Sequence, residues 1–526
     1  MNHTTQLTIS SNAIHSNLVV IGGGIAGITC AESYSQLKPN ESVLILSSSP
    51  ILKTVQNVQR ISKVLETFDI FEKEFTEVEF KHPNIRVEIC QVVNIDYSKN
   101  LIITKDKGTF SFDYLSMCTG ARPNLIRQSH YVLGIRDTET IINLKDRLSN
   151  SRRIVVVGNG GIALELLHEI KNIDIIWSIK DNHIGNAFFD LETATFLSLL
   201  KDQENQSSEE ENNNNQSSNN KNEIYNKLIK ISSVAIKGTG GNSSGSSIGP
   251  NWYSKYNFQE NLKIDGQSIN VEYGTELVEL YDDKVNFTKE ILDRKEELGD
   301  WPVYIKLSNN NIYGCDFIIS ATGVIPNSEL IRESMSDVLV ASDGSLLVNE
   351  QMQLKFSNGI ENKRIYAAGD VCQLQWTEKS EFWFQMKLWS QARIMGRYCA
   401  QEIARQSLRD SKKPLEELDE ICTNFEFELF AHITKFFNLK VIMLGLYNGQ
   451  SLDMSSNDIK RYHRLDIEER QFVRIILKNG RLQGAVLIGD TDLEETFENL
   501  ILNQIDLSNF GEELLNPDID IEDYFD

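Results

Sequence analysis

The chain has 526 residues, 40% of them hydrophobic, enough for several domains with large buried cores. A formal net charge of −23 argues against nucleic-acid binding as the main role, and no run of about eighteen apolar residues suggests a membrane span.

Residues 1–16 are polar and lack both an apolar core and arginines, so they read as a disordered tail rather than a targeting peptide. Residues 18–21 are an apolar run, as in a buried parallel strand. The run breaks into Gly22-x-Gly24-x-x-Gly27 and then a helical stretch. In such a turn Gly22 permits the bend, Gly24 lets a pyrophosphate approach the backbone, and Gly27 lets the helix pack on its strand. The helix N-terminus offers free N–H groups and a positive dipole end to phosphates. A second buried strand, 42–46, ends in Ser47-Ser-Ser-Pro50. A dinucleotide fold usually places a ribose-binding acid there, and Ser47 offers a hydroxyl instead.

Residues 53–75 read as a helix, and 87–96, 101–104 and 109–112 as an antiparallel meander. The strand 114–118 then runs into Thr119-Gly120-Ala-Arg122-Pro123. Residues 153–157 open a second copy of the design, followed by Gly158-x-Gly160-Gly-Ile-Ala163-Leu-Glu165 and a helix. Two phosphate-binding turns, each between a strand and a helix, imply two dinucleotide sites. The strand 173–179 ends at Lys180-Asp-Asn-His183. The ribose acid is again expected to be absent, with Lys180 a partial site for a 2′-phosphate.

From 203 to 249 the composition collapses into Asn, Ser, Glu and Gly, which reads as a disordered surface insertion. Strands resume at 271–280, 303–307 and 312–313, and 316–327 repeats the strand-then-Thr-Gly pattern, ending on Gly323 and its neighbours. Residues 364–371 form a strand closing on Gly369-Asp370. A carboxylate there lies on the ligand-binding edge of an α/β sheet; the plainer reading of Asp370 is a helix cap. A long helix is expected over 383–405. A smaller domain follows, with strands at 425–430, 441–446, 472–478 and 482–488 and a helix at 493–502. Residues 516–526 are acidic and read as a solvated end rather than a docking peptide. The seven cysteines, Cys30, Cys90, Cys118, Cys315, Cys372, Cys399 and Cys422, form no short pair. That pattern suits a reduced intracellular protein without disulfides or a zinc site.

With both glycine turns, Thr119-Gly120, Ala321-Thr-Gly323 and Gly369-Asp370 in order, the chain resembles the pyridine nucleotide-disulfide oxidoreductases over residues 17–420. Stretches 132–137, 158–165, 427–437 and 492–503 resemble one branch of that family. The resemblance implies an α/β fold with two Rossmann-like domains, for FAD and NAD(P)H, plus a smaller C-terminal α+β domain. It divides the chain into a first FAD-binding segment (17–150), a NAD(P)H domain (151–314), a second FAD-binding segment (315–420) and the C-terminal domain (421–526). It implies that Gly22, Gly24, Gly27, Ser47, Thr119, Gly120, Arg122, Gly369 and Asp370 hold FAD, with Asp370 at the ribityl and pyrophosphate. It likewise implies that Gly158, Gly160, Ala163, Lys180 and Gly323 hold NADH or NADPH.

One departure bears on mechanism. Disulfide-reducing members carry a cysteine pair, and here no cysteine occurs in 47–60 or 119–314, so a thiolate relay is in doubt. Cysteine-free relatives place a lysine–glutamate pair beside the flavin, implying catalytic roles for Lys53 and Glu165; a surface lysine is the plainer reading of Lys53. The expected function is hydride transfer from NAD(P)H to FAD in oxidative-stress defence, with an unknown final acceptor. The alternative is a flavoprotein binding partner whose nucleotide state controls docking and which protects a complex such as the tRNA ligase complex from oxidation. The branch implies cytoplasm and nucleus, and no direct contact with nucleic acid or membrane is expected.

Overall fold

A computed structural model describes residues 13–197, 268–282, 287–359, 362–376, 380–411, 427–437 and 439–517. The expectations for residues 1–12, for the polar insertion, for Cys422 and for the tail beyond 517 lie outside the described residues.

The first sheet runs β5 (Ile85–Ile89), β2 (Val43–Ser47), β1 (Ile14–Ile21), β8 (Thr109–Met117), β7 (Leu101–Thr104) and β6 (Val92–Asp96), with β20 (Ile365–Ala367) also paired to β8. β1 lies parallel between β2 and β8, and Leu18, Val19 and Val20 are fully buried, as a strand covered on both faces requires. Helix α1 (Ile25–Leu37) covers one face and packs on the long helix Trp389–Asp410. The approach is close: a Cβ on Gly396 would stand 2.3 Å from the Ala26 carbonyl oxygen.

The second sheet runs β10 (Val132–Gly134), β17 (Phe317–Ser320), β11 (Arg153–Val157), β12 (Asp174–Ile179) and β13 (Ile269–Tyr273), all parallel. A three-stranded antiparallel sheet of β14 (Leu277–Tyr281), β15 (Val303–Leu307) and β16 (Ile312–Cys315) lies beside it. Two short pairs, β9 (Ala121–Pro123) with β18 (Val324–Pro326) and β19 (Leu346–Val348) with β21 (Cys372–Leu374), complete this region. The C-terminal domain is an antiparallel sheet of β22 (Ala431–Phe436), β23 (Leu439–Gly445), β26 (Arg481–Ile488), β25 (Gln471–Lys478) and β24 (Ile459–Asp466), covered by the helix Glu494–Asn503.

Several expectations are corrected. Residues 53–75 are not a helix but a hairpin of β3 (Ile51–Arg60) and β4 (Glu66–Glu74). Leu52 and Thr54 alternate inward on one strand and Phe68 and Ile70 on the other, a period of two. Helix α2 (Phe75–Lys81) follows the hairpin. The stretch 271–280 splits between two sheets, and 87–96 divides into a parallel core strand and a meander strand. Residues 109–117 are one strand, and 383–388 precede the long helix. In the last domain 427–430 make only an isolated bridge, Phe382 with Leu429, while β22 and β24 were not anticipated. The domain boundaries shift too: β10 and β17 belong to the second sheet, although 17–150 and 315–420 were expected in the first domain. Strands pair across the crossovers, so boundaries drawn at 150/151 and 314/315 part β10 and β17 from the sheet they share with β11. Ile14–Asn17, expected mostly as tail, already belong to β1.

Candidate functional site

The two glycine turns are near copies in space. Gly22 has φ +122° and Gly158 φ +123°, a region that favours glycine. A Cβ on Gly22 would lie 2.1 Å from the Cys118 carbonyl oxygen, and one on Gly158 2.1 Å from that of Ala321. Cys118 and Ala321 each precede a Thr-Gly pair, so that recurring motif is the chain pressed against the first glycine of each turn. Backbone bonds lock both places: the N–H groups of Gly22 and Cys118 donate to Leu46 and Ile21 at 2.9 and 2.8 Å. Those of Gly158 and Ala321 donate to Ser178 and Val157 at 3.1 and 2.7 Å. Gly24 and Gly160 have nothing within 4 Å of a built Cβ, so each opens onto free space at a helix N-terminus. A Cβ on Gly27 would sit 2.0 Å from the Gly22 carbonyl oxygen, whereas its counterpart Ala163 on α4 (Gly161–Glu169) accommodates one.

Each turn borders a cavity. The first, about 620 Å³, is lined by Gly22, Gly24, Ser47, Lys53, Thr119, Gly120 and Asp370 among the anticipated residues. Gly27, Arg122 and Gly369 are outside its lining: Gly27 packs inside the turn, and exposed Arg122 pairs with Glu329 at 2.5 Å. Gly369, at φ +81°, packs against Ala26 and sets Asp370 beyond the end of β20. The Ser47 hydroxyl is engaged locally, donating to the Ser49 carbonyl at 2.7 Å. Thr119 donates to the Asn327 carbonyl at 2.7 Å, tying the two crossovers together.

The second cavity, about 520 Å³, is lined by Gly158, Gly160, Lys180 and Gly323; buried Ala163 lies beneath it. Glu165 is partly buried on α4, outside the lining of both cavities. The acid expected to be missing after β12 is present as Asp181, on this cavity's wall one residue past Lys180. Its carboxylate accepts from Asn159 Nδ2 at 2.8 Å and from Asn186 Nδ2 at 3.0 Å.

Two contributors to the first cavity were not foreseen from the sequence. Arg136 sits just before α3 (Thr138–Leu148), is 9% exposed, and pairs with the equally buried Asp370. Its Nε donates to the Ala121 carbonyl at 3.0 Å. A buried ion pair of this kind holds both groups in place, and removing one partner strands the other. Trp389 opens the long helix and walls the cavity beside Leu388 and Ala392. The two cavities meet back to back. Ala121 and Arg136 face the first, while their near neighbours Pro123 and Ile135 face the second.

Cys30, Cys118 and Cys399 gather around the Ser116 hydroxyl, at 3.7, 3.4 and 3.5 Å. Burial pushes the Cys118, Cys315 and Cys372 thiols far up, and Cys90 to about 11. Cys30 is raised first by its hydrogen bond with Cys399 and then by burial. These five raised thiols, Cys30, Cys90, Cys118, Cys315 and Cys372, stay protonated, and protonated thiols are poor nucleophiles.

Comparison with known proteins agrees with this geometry. The family model for pyridine nucleotide-disulphide oxidoreductases matches residues 16–176 and 262–396, and that for the rubredoxin NAD+ reductase C-terminal domain matches 431–505. The chain is 54% identical to pyridine nucleotide-disulfide oxidoreductase domain-containing protein 1 of Dictyostelium discoideum, over 97% of this chain and 99% of the relative. To the Homo sapiens protein of the same name it is 42% identical, over 97% of each. Among solved structures, the putidaredoxin reductase–putidaredoxin complex superposes with a TM-score of 0.60 at 15% identity, covering 96% of this chain and 97% of that one. A water-forming NADH oxidase from Lactobacillus brevis gives 0.58 at 14%, covering 94% and 92%. The chain therefore belongs to the pyridine nucleotide-disulphide oxidoreductase family, with FAD as cofactor and NADH or NADPH as co-substrate.

Proposed function

We propose that the chain is an FAD-dependent NAD(P)H oxidoreductase that works without a redox cysteine pair. The observation that carries this reading is the back-to-back placement of two cavities, each opening at a near-identical glycine turn. FAD, when bound, accepts a hydride from the nicotinamide and passes its electrons on. The chain's own residues bind and orient. The open face of Gly24 and the α1 N-terminus suit the FAD pyrophosphate, and Asp370, held by Arg136, suits the ribityl hydroxyls. Gly160 and the α4 N-terminus suit the nicotinamide nucleotide, with Lys180 and Asp181 beyond the strand end. Lys53 brings positive charge into the first cavity, while Glu165, proposed as its partner, lies on the helix of the second turn outside both linings, so any effect it has on the flavin acts from behind the cavity wall. Fixed charge near a flavin shifts its potential.

The test is anaerobic. NADH or NADPH should bleach the flavin of the purified holoprotein within a turnover, with no thiolate–flavin charge-transfer band. A flavin left oxidised by saturating amounts of both nucleotides would reject the assignment. We assign this chemistry to oxidative-stress defence, in cytoplasm and nucleus. The burial of the described thiols favours that role, because it spares them from the oxidants the enzyme would face. The second reading is a flavoprotein that docks on and protects another complex, such as a tRNA ligase complex. Its support is the branch resemblance, which runs over 97% of the chain.

A further inference from the structure

The stretch 180–190, between β12 and the helical segment 191–197, has no strand or helix of its own. Its shape is therefore set by what grips its two ends. One end is tied to the second glycine turn. Asn159 Nδ2, which donates to Asp181, also donates to the His183 carbonyl at 2.8 Å, and the Gly185 N–H donates to Asn159 Oδ1 at 2.5 Å. Along this stretch Lys180, Asp181, Asn186 and Ala187 form the rim of the second cavity.

The other end is held by the C-terminal domain. Phe188 and Phe189, directly after that rim, meet Phe436 of β22 with ring centroids 5.3 and 5.4 Å apart. Phe188 also lies against the start of α4, where a Cβ on Gly161 would stand 3.1 Å from its ring. Asp190 fixes the start of 191–197, one carboxylate oxygen accepting from the Thr193 N–H at 3.0 Å, and its other oxygen pairs with Arg474 of β25. Arg474 is 1% exposed, and its Nη2 donates to the Tyr447 carbonyl at 2.5 Å and to Asn448 Oδ1 at 2.7 Å. Asn448 Nδ2 in turn donates to the Phe188 carbonyl at 2.8 Å. One buried guanidinium thus holds the loop directly at Asp190 and, through Asn448, at Phe188. A cation so far from water persists only where such partners offset its desolvation, which fixes both grips in place.

We infer that Arg474 is a positioning residue for the nicotinamide nucleotide, through which the C-terminal domain shapes the rim of the nucleotide cavity. The inference rests on the oxidoreductase reading above. Arg474 lines neither of the first two cavities, so it acts on the nucleotide only through the loop. Asn186 and Ala187 stand immediately before Phe188, so slack at the anchor passes straight to the rim.

Anaerobic stopped flow of the FAD-loaded protein over a range of NADH concentrations separates the apparent Kd from the limiting rate of flavin reduction. Asn448→Ala removes one hydrogen bond to the loop and should raise the Kd about threefold; Arg474→Met releases both grips and should raise it about tenfold. FAD content and the limiting rate should stay parental in both. Arg474→Lys, which can still meet Asp190, should recover part of the affinity. Val473→Ala is the control for general destabilisation. Val473 adjoins Arg474 on β25 but is buried in the core under the helix Glu494–Asn503, so this variant should melt earlier and keep the parental Kd. A parental Kd in Arg474→Met, or an equal rise in Val473→Ala, would overturn the inference. Should Arg474→Met fail to fold, a parental Kd in Asn448→Ala would do the same. A parent protein whose flavin stays oxidised under saturating NADH and NADPH would instead overturn the oxidoreductase reading.

Discussion

Two substitutions on one turn separate shaping the backbone from making room for the cofactor. Gly22 sits at φ +122°, and a side chain there costs about 1–3 kcal/mol in backbone strain. The added Cβ would also lie 2.1 Å from the Cys118 carbonyl oxygen and 2.7 Å from its carbon. Neither strand end can move without losing the backbone bonds to Leu46 and Ile21, so overpacking adds about 1–3 kcal/mol. Gly22→Ala should therefore lose about 2–6 kcal/mol, a large share of a total commonly about 5–15. Gly24 differs: its φ of −79° and ψ of −179° suit any residue, and a Cβ meets nothing within 4 Å. Gly24→Val should leave the flavin-free protein within about 0.5 kcal/mol of its parent. Its methyl groups occupy the space the pyrophosphate needs, so FAD affinity should fall about a hundredfold or more, roughly 2.7 kcal/mol. The assay pairs flavin absorbance per protein with denaturant unfolding of the deflavinated forms. A Gly24→Val protein that stays yellow with parental FAD affinity, or a Gly22→Ala protein that unfolds with its parent, would refute the reasoning.

Arg136→Met should destabilise by about 3–5 kcal/mol and lower FAD content by stranding buried Asp370, as unfolding and flavin yield will show; Arg136→Lys should recover some of both. Replacing Cys30, Cys90, Cys118, Cys315, Cys372 or Cys399 singly by Ala or Ser should leave flavin reduction by NADH intact in stopped flow; one variant that keeps FAD and fold but cannot turn over would reveal a thiol step. Lys180→Ala should raise the KM for NADPH by about threefold relative to NADH, the worth of one exposed charge contact; equal effects on both nucleotides would remove Lys180 from phosphate recognition. Glu498 accepts from the Val64 N–H of the β3–β4 hairpin, and burial raises its carboxyl above the ordinary value, so the protonated form favours the fold; that stability is full below the ordinary value and is lost as pH rises through the raised one. Glu498→Gln should accordingly gain thermal stability over its parent as pH is taken from about 5 to about 8; a gain that shrinks with rising pH would reverse this assignment.

The two strand–glycine–helix units, the Thr-Gly crossovers and the Gly369-Asp370 strand end were legible in the sequence. Each is local: steric limits at Gly22 and Gly158, and buried apolar runs beside them, leave few alternatives. The family followed from their order. The 53–75 hairpin was not legible, because its alternation gains meaning only against Ile25 and Trp389, brought there by other segments of the chain. β22 and β24 each pair with the very next strand, but their mixed sequences, with His432, Thr434 and Lys435 in one and Lys460, Arg461, His463, Arg464 and Asp466 in the other, give no apolar run to read.

The site shows this division most sharply. Asp370 could be placed from its strand end, but its partner Arg136 stands 234 residues away and only folding joins them. Arg122, expected at the cofactor, stands one step back from it, holding Glu329 and Asn327, which line the first cavity. Asp181 was overlooked because position along a strand does not say which residue faces a cavity; Asn159 and Asn186, which hold it, belong to the turn and the following loop. Sequence limits what each segment can adopt, since dihedral and steric restrictions act over a few residues. Which side chains wall each of the two cavities came from folding alone, since cavities are made between segments rather than within them.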